Sequence, residues 1–361
     1  MKQFWPFNRL TFKIETTMKR AQEQSLTYQQ LFGELQKKIA LLSVLLILFQ
    51  SIILAQGYRK NNLLIYTFGY NEVPARSNLP LIGFVNTAHG DQKSVHVGFI
   101  NTNLGNLTGA QIGFVNTVGD KMDGIQVAFI NTTGNDQRGL QTGFINTIGE
   151  DAQGFQVGFI NAIGGKMQGS QVGFINAVKK VVGFQVGFVN GTRLLTGLQL
   201  GFINKAETVT HGVPVGFLSF VKHGGYQAFE LSFNEMYPYN ASYKIGMDQF
   251  YTFPMVSYNP KLVDPWAIGF GAGSVIPMNE EVFFNPELIS QTIVSGDFQQ
   301  ITSLGLQFGH AFTENLDFLA GPSVVWNRTT ANDPIFSLHN WDLDGTNRIH
   351  IGLRAALRYR F

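Results

Sequence analysis

The chain has 361 residues, with 40 Gly, 32 Phe and 12 Pro, only 14% charged residues and a formal charge of +2. So many aromatics and so few charges exclude a disordered chain, and the absence of cysteine excludes disulfide frameworks, thiolate metal sites and cysteine nucleophiles. Seven of the 26 Lys/Arg fall in the first 55 residues, so the rest of the chain is slightly acidic and lacks the basic patch that nucleic-acid binding needs.

Residues 1–55 read as an N-terminal extension and signal peptide. Lys37-Lys38 precede an uncharged run from Ile39 to Ala55, the order of a secretory signal, with a cleavage site near Ala55. At 17 residues the run approaches the lower limit for a spanning helix, so an uncleaved anchor is the competing reading. Met18, followed by Lys19-Arg20, makes a more ordinary initiator than Met1. Residues 56–78 are then expected to hold a first barrel strand, near 63–70.

Residues 79–220 carry ten copies of a repeat of about fifteen residues. Phe recurs at Phe84, Phe99, Phe114, Phe129, Phe144, Phe159, Phe174, Phe188, Phe202 and Phe217. Asn follows two residues later at Asn86, Asn101, Asn116, Asn131, Asn146, Asn161, Asn176, Asn190 and Asn204, and is lost from the last copy, as in a cap. Within a copy, strand alternation places Phe155, Val157, Phe159 and Asn161 on one face and Gln156, Gly158 and Ile160 on the other. The Gly, Asp, Asn and Lys between copies are turn residues.

Two architectures fit. Each copy is either one coil of a β-solenoid, with Phe stacked on Phe and Asn on Asn about 4.8 Å apart, or one strand of a membrane meander that extends the barrel to about eighteen strands. Constant spacing favours the solenoid, because a meander alternates short turns with long loops. The apolar stripe at Ile100, Val115, Ile130, Ile145, Ile160 and Ile175 has no explanation on a solenoid's outer face.

Residues 221–361 read as an outer-membrane β-barrel. In the last strand Ile349, Ile351, Leu353, Ala355, Leu357, Tyr359 and Phe361 alternate with Arg348, His350, Gly352, Arg354, Ala356, Arg358 and Arg360. One face suits lipid, and the other, with four Arg, requires a polar interior. Strands near 63–70, 226–236, 243–256, 265–277, 282–290, 300–312, 316–327 and 347–361 give a closed set of eight, with the repeats inserted between the first two and emerging outside. An eight-stranded barrel has room only for its own side chains, here Arg348, Arg354, Arg358 and Arg360 neutralised by Glu230 and Glu287, whereas eighteen strands would enclose a channel.

Little else points to chemistry. The seven His show no metal-ligand spacing and mostly fall in turns, so they read as solvated surface. Gly269-Phe270-Gly271-Ala272-Gly273 is not followed by a helix and fits a barrel strand better than a phosphate loop. Asp342-Leu343-Asp344-Gly345 has calcium-loop spacing without the downstream Glu. No catalytic, cofactor or metal residues are assigned. Trp266, Trp326 and Tyr359 suit an aromatic girdle.

The last strand resembles the C-terminal signal strand of outer-membrane barrels, which implies that Tyr359 and Phe361 are read by the assembly machinery. The Gly-x-Gln-x-Gly-Phe-x-Asn copies, with Gly212-Val213-Pro214-Val215-Gly216-Phe217-Leu218-Ser219-Phe220 and the following barrel, resemble the surface-repeat-containing proteins of Gram-negative outer membranes over residues 79–361. That resemblance implies location and architecture and transfers no catalytic residue. The expected function is a non-enzymatic surface protein, its barrel anchoring a repetitive β domain exposed to a surface ligand. A transport barrel with the repeats in its wall is the alternative, and a surface hydrolase has no motif in its favour.

Overall fold

The computed structural model describes residues 65–294, 300–328 and 338–361. The signal segment, and parts of the two loops expected at 294–299 and 328–347, lie outside the described residues. Within them the chain is all-β, with no helix, and forms a parallel β-solenoid followed by a closed eight-stranded barrel.

Each repeat is one coil of two short strands, such as Gln92–Val97 and Ile100–Asn103, stacked in parallel on Leu107–Ile112 and Val115–Val118. The register follows the sequence period, with Asn101 opposite Asn116 and Asn131 opposite Asn146. Where the period drops to fourteen, the offset appears as a register shift between Ile163 and Lys166, in the turn, so the ladders continue unbroken. The eighteen-stranded alternative is thereby excluded.

The motif residues have separate tasks. Gly154 adopts φ +130, a region that disfavours side chains, and Gln156 points into the coil. At Gly158 the chain turns a corner so tight that a Cβ would lie 2.2 Å from the Gly143 carbonyl oxygen. This corner corrects the simple alternation. Phe159 points outward and Asn161 is fully buried, although they are two residues apart.

The phenyl rings form a continuous external stack from Phe84 to Phe217, with centroid spacings of 4.7 to 5.1 Å. In the Ile/Val stripe beside it Val115 is buried, and Ile100, Ile130, Ile145, Ile160 and Ile175 are only partly covered. Apolar packing inside the coils is confined to the turn half, for example Ile163, Met167, Val178, Val181 and Leu195.

The strand expected at 63–70 does not belong to the barrel. Ile65–Tyr66 and Tyr70–Val73 pair in parallel with Leu81–Ile82 and Val85–Ala88, one coil ahead of the first recognised copy. The barrel strands are β1 (Tyr226–Phe233), β2 (Tyr239–Met247), β3 (Phe250–Tyr258), β4 (Trp266–Gly273), β5 (Val282–Ile293), β6 (Gln300–Ala311), β7 (Leu316–Arg328) and β8 (Asn347–Arg360). All neighbours are antiparallel, and β1 pairs with β8 to close the ring. The single strand expected at 243–256 is the hairpin β2–β3, turning at Asp248-Gln249, which restores the count of eight.

The solenoid therefore precedes the whole barrel and is not inserted in it. It enters β1 beside the chain's end, where the Phe361 amide donates to the Gln227 carbonyl at 3.0 Å. The solenoid and the C-terminus thus share one end of the barrel. Placement of the repeats on the opposite side, as expected of an insertion, loses its topological basis.

Candidate functional site

Two polar constructions stand out, one filling the barrel and one running through the solenoid. The barrel site is set by strand alternation, which turns Glu230 (β1), Lys244 (β2), Tyr251 (β3), Glu287 (β5), Arg354 and Arg358 (β8) inward, all of them buried. Arg358 lies 2.7 Å from Glu230 and 3.2 Å from Glu287, and Arg354 lies 2.9 and 3.1 Å from the same two carboxylates. Lys244 is 3.3 Å from Glu230 and also bonds Glu287. The Tyr251 hydroxyl donates to Glu287 at 2.6 Å, and Arg358 donates to the Asn285 side-chain oxygen at 2.8 Å. Burial of five charges is tolerated because each cation meets both anions at close range.

Of the four Arg expected inside, Arg354 and Arg358 join Glu230 and Glu287 in this cluster. Arg360 sits at the rim, 2.7 Å from Asp317, and Arg348 is at the other end, 3.8 Å from Asp342. Lys244 was missed because the β2–β3 hairpin was read as one strand. A second group is also new. Glu235 folds in from the β1–β2 connection, accepts from Ser323 at 3.0 Å and lies 3.5 Å from His350. Gly352 makes room for it, since a Cβ there would lie 2.0 Å from the Glu235 carboxyl carbon. Tyr237 and Met236 fill the same end. This lumen is packed by its own side chains.

In the solenoid, each buried Asn donates to the Asn of the next coil and to a corner carbonyl. Asn161 reaches Asn176 Oδ1 and the Val172 carbonyl, both at 2.9 Å. The backbone acceptor sets which way the amide points. Gln111, Gln126, Gln141, Gln156, Gln171, Gln185 and Gln199 form a second ladder that donates in the opposite direction, as Gln171 does to Gln156 at 2.8 Å. The two rows of amide dipoles therefore oppose each other. Repeated Gln in the motif was the available signal for this ladder. Asn71 extends the Asn ladder one coil before Asn86, and Ser219 receives it at 3.3 Å in the last copy.

Two His depart from the expected solvated surface. His350 is in the barrel interior and His96 occupies a Gln position in the ladder; the other five are exposed. His96 accepts at Nδ1 from Gln111 at 3.5 Å and has Ser94 Oγ at 3.0 Å from Nε2, which suits a neutral ring with its proton on Nε2. Burial pushes its pKa down to about 4 from an ordinary 6.5. The neutral form is the one that folds, so stability is complete above pH 6.5 and falls by about 3 kcal/mol as the pH drops through 4. His96→Gln is expected to restore the ladder and remove this acid sensitivity, read as urea midpoints at pH 7 and pH 4.5.

No group of three or more His, Asp or Glu suited to a metal ion occurs among the described residues. The calcium-like loop satisfies itself, because Asp344 accepts from the Thr346 and Asn347 amides, which holds its pKa below the usual carboxylate range. Gly269, Gly271 and Gly273 are lumen-side residues of β4, where a Cβ at Gly271 would lie 2.3 Å from the Phe253 ring. No family model and no curated protein matches the chain.

Proposed function

We propose that this is a non-enzymatic outer-membrane protein whose barrel is an anchor and whose solenoid is the part that meets other molecules. The observation that carries this reading is the filled lumen: Arg358, Lys244, Tyr251, Phe253 and Tyr237 are fully buried across it, as in a barrel packed by its own side chains. The outer wall supports a membrane setting. Leu231, Ile268, Leu288, Phe308, Val324 and Leu357 are exposed apolar residues that spread around the ring.

Aromatics mark both ends of this wall, with Tyr239, Tyr258, Trp266 and Trp326 at one and Tyr243, Tyr359 and Phe361 at the other. Ile349, opposite Trp326, and Tyr359 are ten residues apart. At about 3.4 Å per residue and a tilt near 40°, that is an apolar band of about 25 Å, the height of an outer-membrane barrel.

Assembly machinery that reads Phe361 from the periplasm would leave the C-terminal end of the barrel on that side. The solenoid, at the same end, is then periplasmic. The two-residue turn at Asp248-Gln249 also lies at this end, as short periplasmic turns do.

The protein purified in detergent should migrate differently on gels before and after heating. It should give no steady openings in planar bilayers, and regular conductance steps would sink the anchor reading in favour of transport. On intact cells the span from Asp91 to Thr210 should resist added protease; ready cleavage there would return the repeats to the cell surface.

A further inference from the structure

The solenoid is amphipathic along its strands. Each coil runs from a polar turn, with residues such as Asp91, Lys121, Asp136 and Asp151, to the Gly-Phe corner. Lys93, Asp123, Arg138 and Gln153 are the outward residues nearest the turn, whereas Val97, Ile112, Val127, Val157, Val172 and Val186 lie next to the corner. The Phe stack forms the edge itself and extends roughly 44 Å at the spacing of stacked strands. An uncharged exposed face of this length is far beyond what a solvated surface normally carries, and marks an interaction site.

Contacts with the barrel show where this face points. The last ring of the stack, Phe217, lies on the outward-facing Phe270 of β4, with centroids 4.3 Å apart and planes within 12°. Its own carbonyl accepts from Thr252 of β3 at 2.7 Å. Phe270 pairs with Pro254, two residues further along β3 from the rim than Thr252. The Phe217 ring is therefore directed from the rim toward the apolar wall. Conversely Met247, the rim residue of β2, packs on the cluster in the turn half of the coils. Every coil repeats this orientation, so the Phe edge is continuous with the apolar wall of the barrel and the charged turns point away from it.

We propose that the solenoid lies along the membrane surface at the C-terminal end of the barrel, with the Phe edge and the adjoining Val/Ile row seated in the acyl and headgroup boundary of the leaflet. The occupant of the apolar face is lipid, held as an amphipathic element is held at an interface, about 5–10 Å deep. This rests on the reading of the barrel as a membrane anchor, and the test separates the two.

The chain has no native cysteine, so single labels are clean. Phe144→Cys, Asp136→Cys and Leu353→Cys variants of the full chain would carry a fluorophore in phosphatidylethanolamine/phosphatidylcholine vesicles containing doxyl phosphatidylcholine. Expected are strong lipid quenching at position 353, comparable quenching by shallow doxyl groups at 144, at least about twofold more than at 136, and iodide quenching at 136 alone. Quenching at 353 without quenching at 144 overturns the proposal and leaves the anchor standing. Protection of 144 from both quenchers also overturns it, in favour of a covering protein or second copy. No lipid quenching at 353 refutes the anchor itself. Val157→Cys provides the same readout if the Phe144 variant fails to fold.

Discussion

Glu287→Gln is expected to destabilise the barrel by about 3–5 kcal/mol, the scale on which a buried ionic group loses one partner. Glu287 meets Lys244, Arg354, Arg358 and the Tyr251 hydroxyl within one fully buried cluster. The substitution keeps the volume but leaves three buried cations facing Glu230 alone. Combining it with Arg358→Met removes one of those cations and should recover part of the loss, a coupling that a double-mutant cycle isolates. Arg360→Gln should cost far less, because Arg360 is about a third exposed at the rim and keeps water as a partner. Urea unfolding in micelles, followed by the heat-modifiable band, ranks the three. Equal effects at 287 and 360 would show that the cluster is no more than a set of independent pairs.

In the solenoid the comparable sensitivity is at the corner glycine. Gly158→Ala places a Cβ 2.2 Å from the Gly143 carbonyl and 2.5 Å from Asn146 Nδ2, so backbone and ladder must shift to admit it, as they do at Ala128, which stands at the same corner two coils away. A loss of about 1–3 kcal/mol is expected, the usual range of overpacking effects. Coils contact only their neighbours, so the defect should uncouple the two halves of the stack. Gly191→Ala is the matched control: its Cβ would meet only the Asn176 carbonyl oxygen at 3.8 Å, and the coil below carries Ala177 at that place. It should be neutral or stabilise by up to about 1 kcal/mol through the unfolded chain. Hydrogen exchange across residues 128–176 would distinguish them, and equal protection in both variants would remove the close-approach account of Gly158.

The eight-strand count was legible, but through two errors that cancel. Residues 63–70 look like a strand and are one, yet they pair with Leu81–Ile82 in a coil; meanwhile the hairpin at Asp248-Gln249 escaped notice because its turn has no Gly or Pro at its centre. Lys244 was lost with that hairpin. Glu235 was hidden for another reason: a loop residue reaches the lumen only when the closed ring and Gly352 give it space, whereas His350 stands on the inward face that the alternation of the last strand already marks.

By itself the sequence determined the period of the repeats and the alternation of the last strand. The near-constant fifteen-residue period favours parallel stacking in register, in which identical side chains about 4.8 Å apart form unbroken Asn and Phe ladders, and the parallel pairing of the coils decided it against a meander. The strict alternation ending at Phe361 dictates a wall with one apolar face. Tertiary structure alone decided which side of the coil each ladder occupies, since the corner at Gly158 reverses the strand's alternation within two residues. It also decided that the solenoid leaves the barrel beside Phe361, with its Phe edge turned toward the apolar wall. Those outcomes depend on contacts between distant segments, such as Phe217 with Phe270 and Thr252, that no periodicity encodes.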